Sequence, residues 1–347
     1  MSGDEATAVS AADSPEKVQT AIESLASIVP SLSITTPTSL LSNPEIYSQI
    51  SSLLRRPNSG AGDNNLCRWL YDTFQSGVTD LQLLVLRFLP VIAGVYLSRV
   101  ADRKPQAGFE AVLLALYAHE TTSRAGQAVS VRIPDLAQPS LYHDPKALTP
   151  NSNKNINSST ELNVAVVSPS LEPHGTVRST RRARIVGVAL ELFYAKIPHM
   201  PVSSKIDFCE FCKLWAGQDG DMYTNFEEED NGEGSIEEES VAFVDASAEL
   251  EEKEKGKVES RVPLPWELLE PVLRILGHCL LGPNNRDVEL FGAASEACRC
   301  LFARSMHDVN AKAILPIRSL LRLSKTLVQN NNEVDPTELP FTDVISL

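Results

Sequence analysis

The seventeen residues from Leu81 to Leu97 (LQLLVLRFLPVIAGVYL) are apolar almost all the way round a helix, and such a surface has to be covered on every side. A membrane span is one way to cover it. The run is at the short end of the ~17–25 residues a bilayer requires, holds Arg87, and is interrupted by Pro90. The alternative is a central core helix bent at Pro90, where proline removes an amide donor and crowds the preceding turn. That reading demands a shell of other helices around it.

The flanking sequence supplies them. Ser14-Pro15-Glu16 has the form of a cap, a first-turn proline and an acid favoured by the helix dipole, and Val18, Ile22, Leu25 and Val29 then share one face. Asn43-Pro44-Glu45 repeats this arrangement ahead of Ile46, Ile50, Leu53 and Leu54. A third helix is expected from near Asp63, with Leu66, Trp69, Leu70 and Phe74 on its apolar face and a stop at Gly77. Phe109, Val112, Leu113, Leu116 and Tyr117 make another helical face. From Gln127 to about Ser170 the pattern turns extended and proline-punctuated, and alternation over Ser130–Ile133 and Leu162–Val167 allows a short hairpin or an irregular arm. Helices resume near Arg181 and Ser203, and three more are expected near Leu264–Leu281, Asp287–Met306 and Val309–Gln329, the last bent at Pro316. No fixed-period repeat is evident.

Charge is distributed unevenly along this chain. The formal net charge is -14, yet Asp219 to Glu259 hold sixteen acidic side chains against three lysines, leaving 28 basic and 29 acidic residues elsewhere. The body is close to neutral and carries one acidic insertion, too poor in apolar groups to offset its ordering entropy and therefore expected to be disordered. Neither part offers the clustered cations that nucleic acid requires. The expected fold class is all-α, an irregular helical bundle or solenoid-like stack with a proline-rich extended arm. Residues 14–218 and 260–330 are expected to form one helical domain, between a disordered start (1–13), the acidic insertion (219–259) and a C-terminal tail (331–347).

Residues that might carry chemistry are few. Cys209-Glu210-Phe211-Cys212 is a CxxC that could join His278, Cys279, Cys298 and Cys300 in a zinc or redox site; its helical spacing between Phe208 and Trp215 fits core thiols better. Arg178, Arg181, Arg182 and Arg184 form a dense basic cluster, readable as a patch for anionic lipid or an acidic partner, or as a solvated helix start. Phosphate-binding glycine loops, HExxH, GxSxG and kinase signatures are missing from the sequence, which lowers the expectation of an enzyme. Six cysteines and no apolar leader suit a reduced, intracellular setting, and with no lipidation signal any membrane association is expected to come through partners or a surface patch.

Several of these segments together resemble one known family. Cys67-Arg68-Trp69-Leu70, Phe74-Gln75-Ser76-Gly77, Leu86-Arg87-Phe88-Leu89-Pro90, Tyr96-Leu97 and Glu110-Ala111-Val112-Leu113-Leu114-Ala115-Leu116-Tyr117 are similar to the start of hyccin-family proteins. The resemblance is most specific in Ile133-Pro134-Asp135-Leu136-Ala137-Gln138-Pro139-Ser140-Leu141-Tyr142-His143-Asp144-Pro145, and extends to the helix around Cys209–Cys212 and to Arg261-Val262-Pro263. It covers roughly Asn43 to Gln329, departing in the acidic insertion, which stands where the family has a shorter linker. The resemblance implies an all-α, non-catalytic subunit of the plasma-membrane phosphatidylinositol 4-kinase alpha complex. Such a subunit binds and stabilises a tetratricopeptide-repeat-like scaffold, which joins the kinase to a lipidated membrane-anchor protein. It implies no cofactor, no metal and no catalytic residue, and a place in the cytosol and at the cytoplasmic face of the plasma membrane. Ile133, Leu136, Leu141, Tyr142 and His143 are the candidate partner contacts, since a proline-fixed segment presents apolar groups at low entropic cost; the same segment could instead simply strap the helices together. The competing functions are a peripheral lipid-binding module using Arg178, Arg181, Arg182 and Arg184, and a metal-dependent enzyme built on the cysteines.

Overall fold

A computed structural model describes residues 14–29, 41–101, 106–134, 162–173, 176–178, 181–220, 265–282 and 287–330. The acidic insertion from Asp221 onward lies outside the described residues, as do residues 1–13 and 331–347. The described residues hold eleven α-helices and one two-stranded antiparallel sheet, an all-α architecture. They divide into two compact units, residues 1–116 with 179–347, and residues 117–178.

The larger unit begins with α1 (Ser14–Ile28), α2 (Pro44–Arg55) and α3 (Asn65–Gln75). Asn43 caps α2 as its sequence predicts, its Oδ1 accepting from the amides of Glu45 (2.9 Å) and Ile46 (3.3 Å). The cap of α3 is Asn64, one residue after Asp63, and Gly77 closes the following turn with φ +74°. Their buried faces are largely the expected ones, Ile22, Leu25 and Val29, then Ile46, Ile50 and Leu54, then Leu66, Trp69, Leu70 and Phe74, while Val18 and Leu53 at the margins are only half-buried.

The apolar run departs from its expected form. Instead of one helix bent at Pro90 it makes two, α4 (Thr79–Arg87) and α5 (Leu89–Ala101), which meet at 45°. The break falls at Phe88 (φ -90°, ψ -4°), whose amide donates to the Val85 carbonyl at 3.0 Å. Pro90 is thereby placed in the first turn of α5, where a missing amide proton costs nothing. Among the described residues no single helix is long and apolar enough to cross a membrane.

The helices sealed on most sides come later. In α7 (Arg182–Ala195) every residue from Arg184 to Leu190 is buried, and α8 (Val202–Ala216) buries Ser204, Lys205, Phe208, Cys209, Phe211, Cys212, Trp215 and Ala216. Neither is strongly one-sided, as expected for helices with neighbours all round. α8 packs against α5 and α10 (Val288–His307), while α7 packs against α9 (Trp266–Leu281). The α7–α9 approach is close enough to require glycine, since a Cβ on Gly187 would lie 2.4 Å from the Glu267 carbonyl oxygen. The last helix, α11 (Ala311–Asn330), crosses α9 and α10 and runs on through Pro316.

The smaller unit comprises the end of α6 (Ala107–Ser123), a left-handed turn at Ala125 and Gly126, and the strands β1 (Val129–Pro134) and β2 (Leu162–Ser168). Of the two forms the alternating residues allow, a short hairpin or an irregular arm, the hairpin is present, with Val131 opposite Ala165, Arg132 opposite Val164 and a bulge next to Val129. Its base is fixed by hydrogen bonds from Arg124 to Ser168 Oγ (2.8 Å), from the Leu171 amide to the Gly126 carbonyl (2.9 Å) and from Tyr117 Oη to the Glu172 carbonyl (3.2 Å).

Candidate interaction surface

The hairpin has the composition of a strand pair that expects something against it. Val164 and Val166 are 65% and 62% exposed and project from the same side of β2, beside Arg132 and Ser130 across the ladder. Val131 and Val129 on β1 are also exposed. A two-stranded ribbon is marginal by itself in water, and β-branched residues suit a pleated surface that is at least half covered. Edges that are unpaired among the described residues, with exposed valines on the ribbon, are together suited to strand addition or to the groove between two helices of a partner.

The residues singled out in the sequence map onto this unit only in part. Ile133 belongs to β1, its backbone opposite Asn163, while Leu136, Leu141, Tyr142 and His143 lie outside the described residues. Val164 and Val166 were not singled out. The signal was present in the alternation of Leu162 to Val167, but alternation alone does not say which side of a strand the core will cover.

The four arginines do not share one environment. Arg178 is exposed in the smaller unit, and Arg181 is exposed immediately before α7 in the larger one. Arg182 lies 3.8 Å from the Glu110 carboxylate, which also accepts from Tyr96 Oη at 3.1 Å. Arg184 is only 8% exposed. Arg182 thus helps to hold α7 to the rest of its own unit, and Arg184 is part of that unit's interior.

The six cysteines are all free and buried. Cys209 and Cys212 of α8 face Cys279 of α9 and Cys298 of α10; Cys209 donates to Cys279, which raises the first thiol and lowers the second, with the Lys205 ammonium adding to the lowering. Burial pushes Cys67 and Cys298 up to about 12. Among the described residues no group of three His, Cys, Asp or Glu side chains is arranged to hold a metal ion. The cysteines read as core packing, and the thiolate needed for reaction is suppressed in most of them. Accordingly, native protein is expected to titrate with fewer than about one equivalent of a disulfide reagent, and the unfolded protein with all six. Rapid native labelling of Cys209 or Cys279 would contradict this packing.

In a comparison with known families, the model described as Hyccin matches residues 33–342, nearly the whole chain.

Proposed function

This chain belongs to the hyccin family, and from that we propose that it is a non-catalytic adaptor subunit of a phosphatidylinositol 4-kinase alpha assembly. Its task is to bind and stabilise a tetratricopeptide-repeat-like scaffold, which in turn carries the kinase and reaches a lipidated membrane anchor. In this role it supports phosphatidylinositol 4-phosphate synthesis at the cytoplasmic face of the plasma membrane while itself contacting the membrane only through partners.

The observation that carries this reading is the family match over residues 33–342. The smaller unit adds physical support, because a two-stranded ribbon with exposed valines is suited to binding protein. The competing reading, a module that grips anionic lipid through Arg178, Arg181, Arg182 and Arg184, draws less support, since Arg182 is ion-paired and Arg184 buried. Direct lipid binding, at about 1 kcal/mol per basic side chain, would then lack the contributions of these two residues.

The proposal is tested in the segment joining the two strands. Leu141→Asp combined with Tyr142→Ala is expected to reduce co-purification with the scaffold at least tenfold while the circular dichroism spectrum stays helical. Full retention of the scaffold would remove these residues from the interface.

A further inference from the structure

Four thiols and one ammonium meet where α8, α9 and α10 come together. Lys205, Cys209 and Cys212 follow one another at spacings of four and three along one face of α8, Cys279 reaches them from α9, and Cys298 from α10. The four thiols are 0% exposed and Lys205 is 1% exposed. Cys209 donates to Cys279, so these two sulfurs are in contact across the seam between α8 and α9. The Lys205 ammonium acts on Cys279 and on its neighbour His278. A buried ammonium is costly without a countercharge, and a thiolate at Cys279 supplies one. Core packing alone gives no reason for a lysine beside this pair.

We propose that Cys209 and Cys279 are a modification site, a thiol pair that hydrogen peroxide closes to a disulfide between α8 and α9. Cys279 is the attacking sulfur. The hydrogen bond from Cys209 and the Lys205 ammonium both favour its thiolate, while burial and neighbouring sulfurs keep Cys209, Cys212 and Cys298 protonated. The Cys279 thiolate attacks one peroxide oxygen, the O–O bond breaks, and hydroxide leaves Cys279 as a sulfenic acid. Cys209, losing its proton to that hydroxide, then attacks the Cys279 sulfur; the S–S bond forms, the S–OH bond breaks, and the second oxygen leaves as water. Two thiols are oxidised by two electrons and one peroxide is reduced to two waters. Sealing does not prevent this: a bulky disulfide reagent is kept out, whereas peroxide is little larger than water and enters on local opening. α8 precedes the acidic insertion and α9 follows it, so the bond closes a loop of about 70 residues across that insertion. Such a cross-link restrains the unfolded chain most, which makes the oxidised form the more stable one.

The test treats the folded full chain with graded hydrogen peroxide, blocks the remaining thiols, and reads unreduced peptides by mass spectrometry. The expected result is a link between the peptides carrying Cys209 and Cys279, kept in Cys212→Ser, lost in Cys209→Ser, and reversed by a small dithiol. In Cys209→Ser the Cys279 sulfenic acid is expected to persist and to be trapped by dimedone. The oxidised chain is expected to unfold at a higher denaturant concentration than the reduced one. Lys205→Met is expected to slow closure severalfold, whereas mere loosening of the core would speed it, so unchanged or faster closure would overturn the part given to Lys205. A link joining Cys212 to Cys298 or to Cys209, or one that forms only after the chain is unfolded, would overturn the proposal. So would peroxide treatment that leaves all six thiols free in the folded chain.

Discussion

Replacing Arg87 by alanine is expected to cost about 3–5 kcal/mol of stability, the range for removing one partner from a buried charged network. Arg87 is 1% exposed at the end of α4, where its guanidinium donates to the Leu41 carbonyl and approaches Ser203 Oγ at 3.4 Å. It also lies over the Tyr47 ring at 4.1 Å, and Phe88 stacks with the same ring at 5.3 Å. Tyr47 Oη in turn donates to Asp207, which Arg55 pairs at 2.9 Å, so one network joins α2, α4 and α8. Burial lowers the Arg87 guanidinium to about 10, and Tyr47 and Asp207 oppose that lowering; the group therefore stays charged at neutral pH. Alanine would open a cavity under Tyr47 and leave Asp207 with Arg55 alone as a countercharge. Arg87→Met keeps most of the volume and is expected to cost less than half as much. Denaturant midpoints of the two variants check this, and equal losses would mean that charge and hydrogen bonding rather than shape are what Arg87 contributes.

Arg87 also illustrates how far the sequence could be read. An arginine within an apolar run argued against a membrane span, and the structure does bury it within the helical core. The helix starts marked by Asn43 and Pro44 were legible because a cap is a local device, satisfied within three residues. The break at Phe88 was not, because Pro90 signals only that the helix cannot continue upstream unchanged. Whether the chain bends or restarts depends on the packing of α4 and α5. The central position of α7 and α8 was equally hidden, since a helix buried all round has no one-sided stripe to detect. In the arginine cluster, sequence proximity grouped side chains that the helix then separated: Arg184 turns into the core two residues after Arg182 meets Glu110.

The hairpin carries the larger functional prediction. Val164→Asp with Val166→Asp is expected to weaken binding to the helical-repeat scaffold by about 3 kcal/mol or more, roughly a hundredfold, because two valines would lose their burial and two charges would have to be desolvated. Both positions are largely exposed in the isolated chain, so the helical signal and unfolding midpoint should change little. That separation between folding and binding is what identifies a surface role. Undiminished scaffold binding by the folded double variant would exclude this side of the ribbon from the interface. The serine pair Val164→Ser with Val166→Ser should give an intermediate loss, since it removes apolar area without adding charge.

The central claim is that this chain acts by joining a protein assembly, and it is tested most directly by affinity purification of the tagged chain from its own cells under gentle salt, with stoichiometric partners identified by mass spectrometry. Recovery of a helical-repeat scaffold together with a phosphatidylinositol 4-kinase is the result expected. Recovery of the chain alone, at yields that show it to be folded, would contradict the adaptor reading.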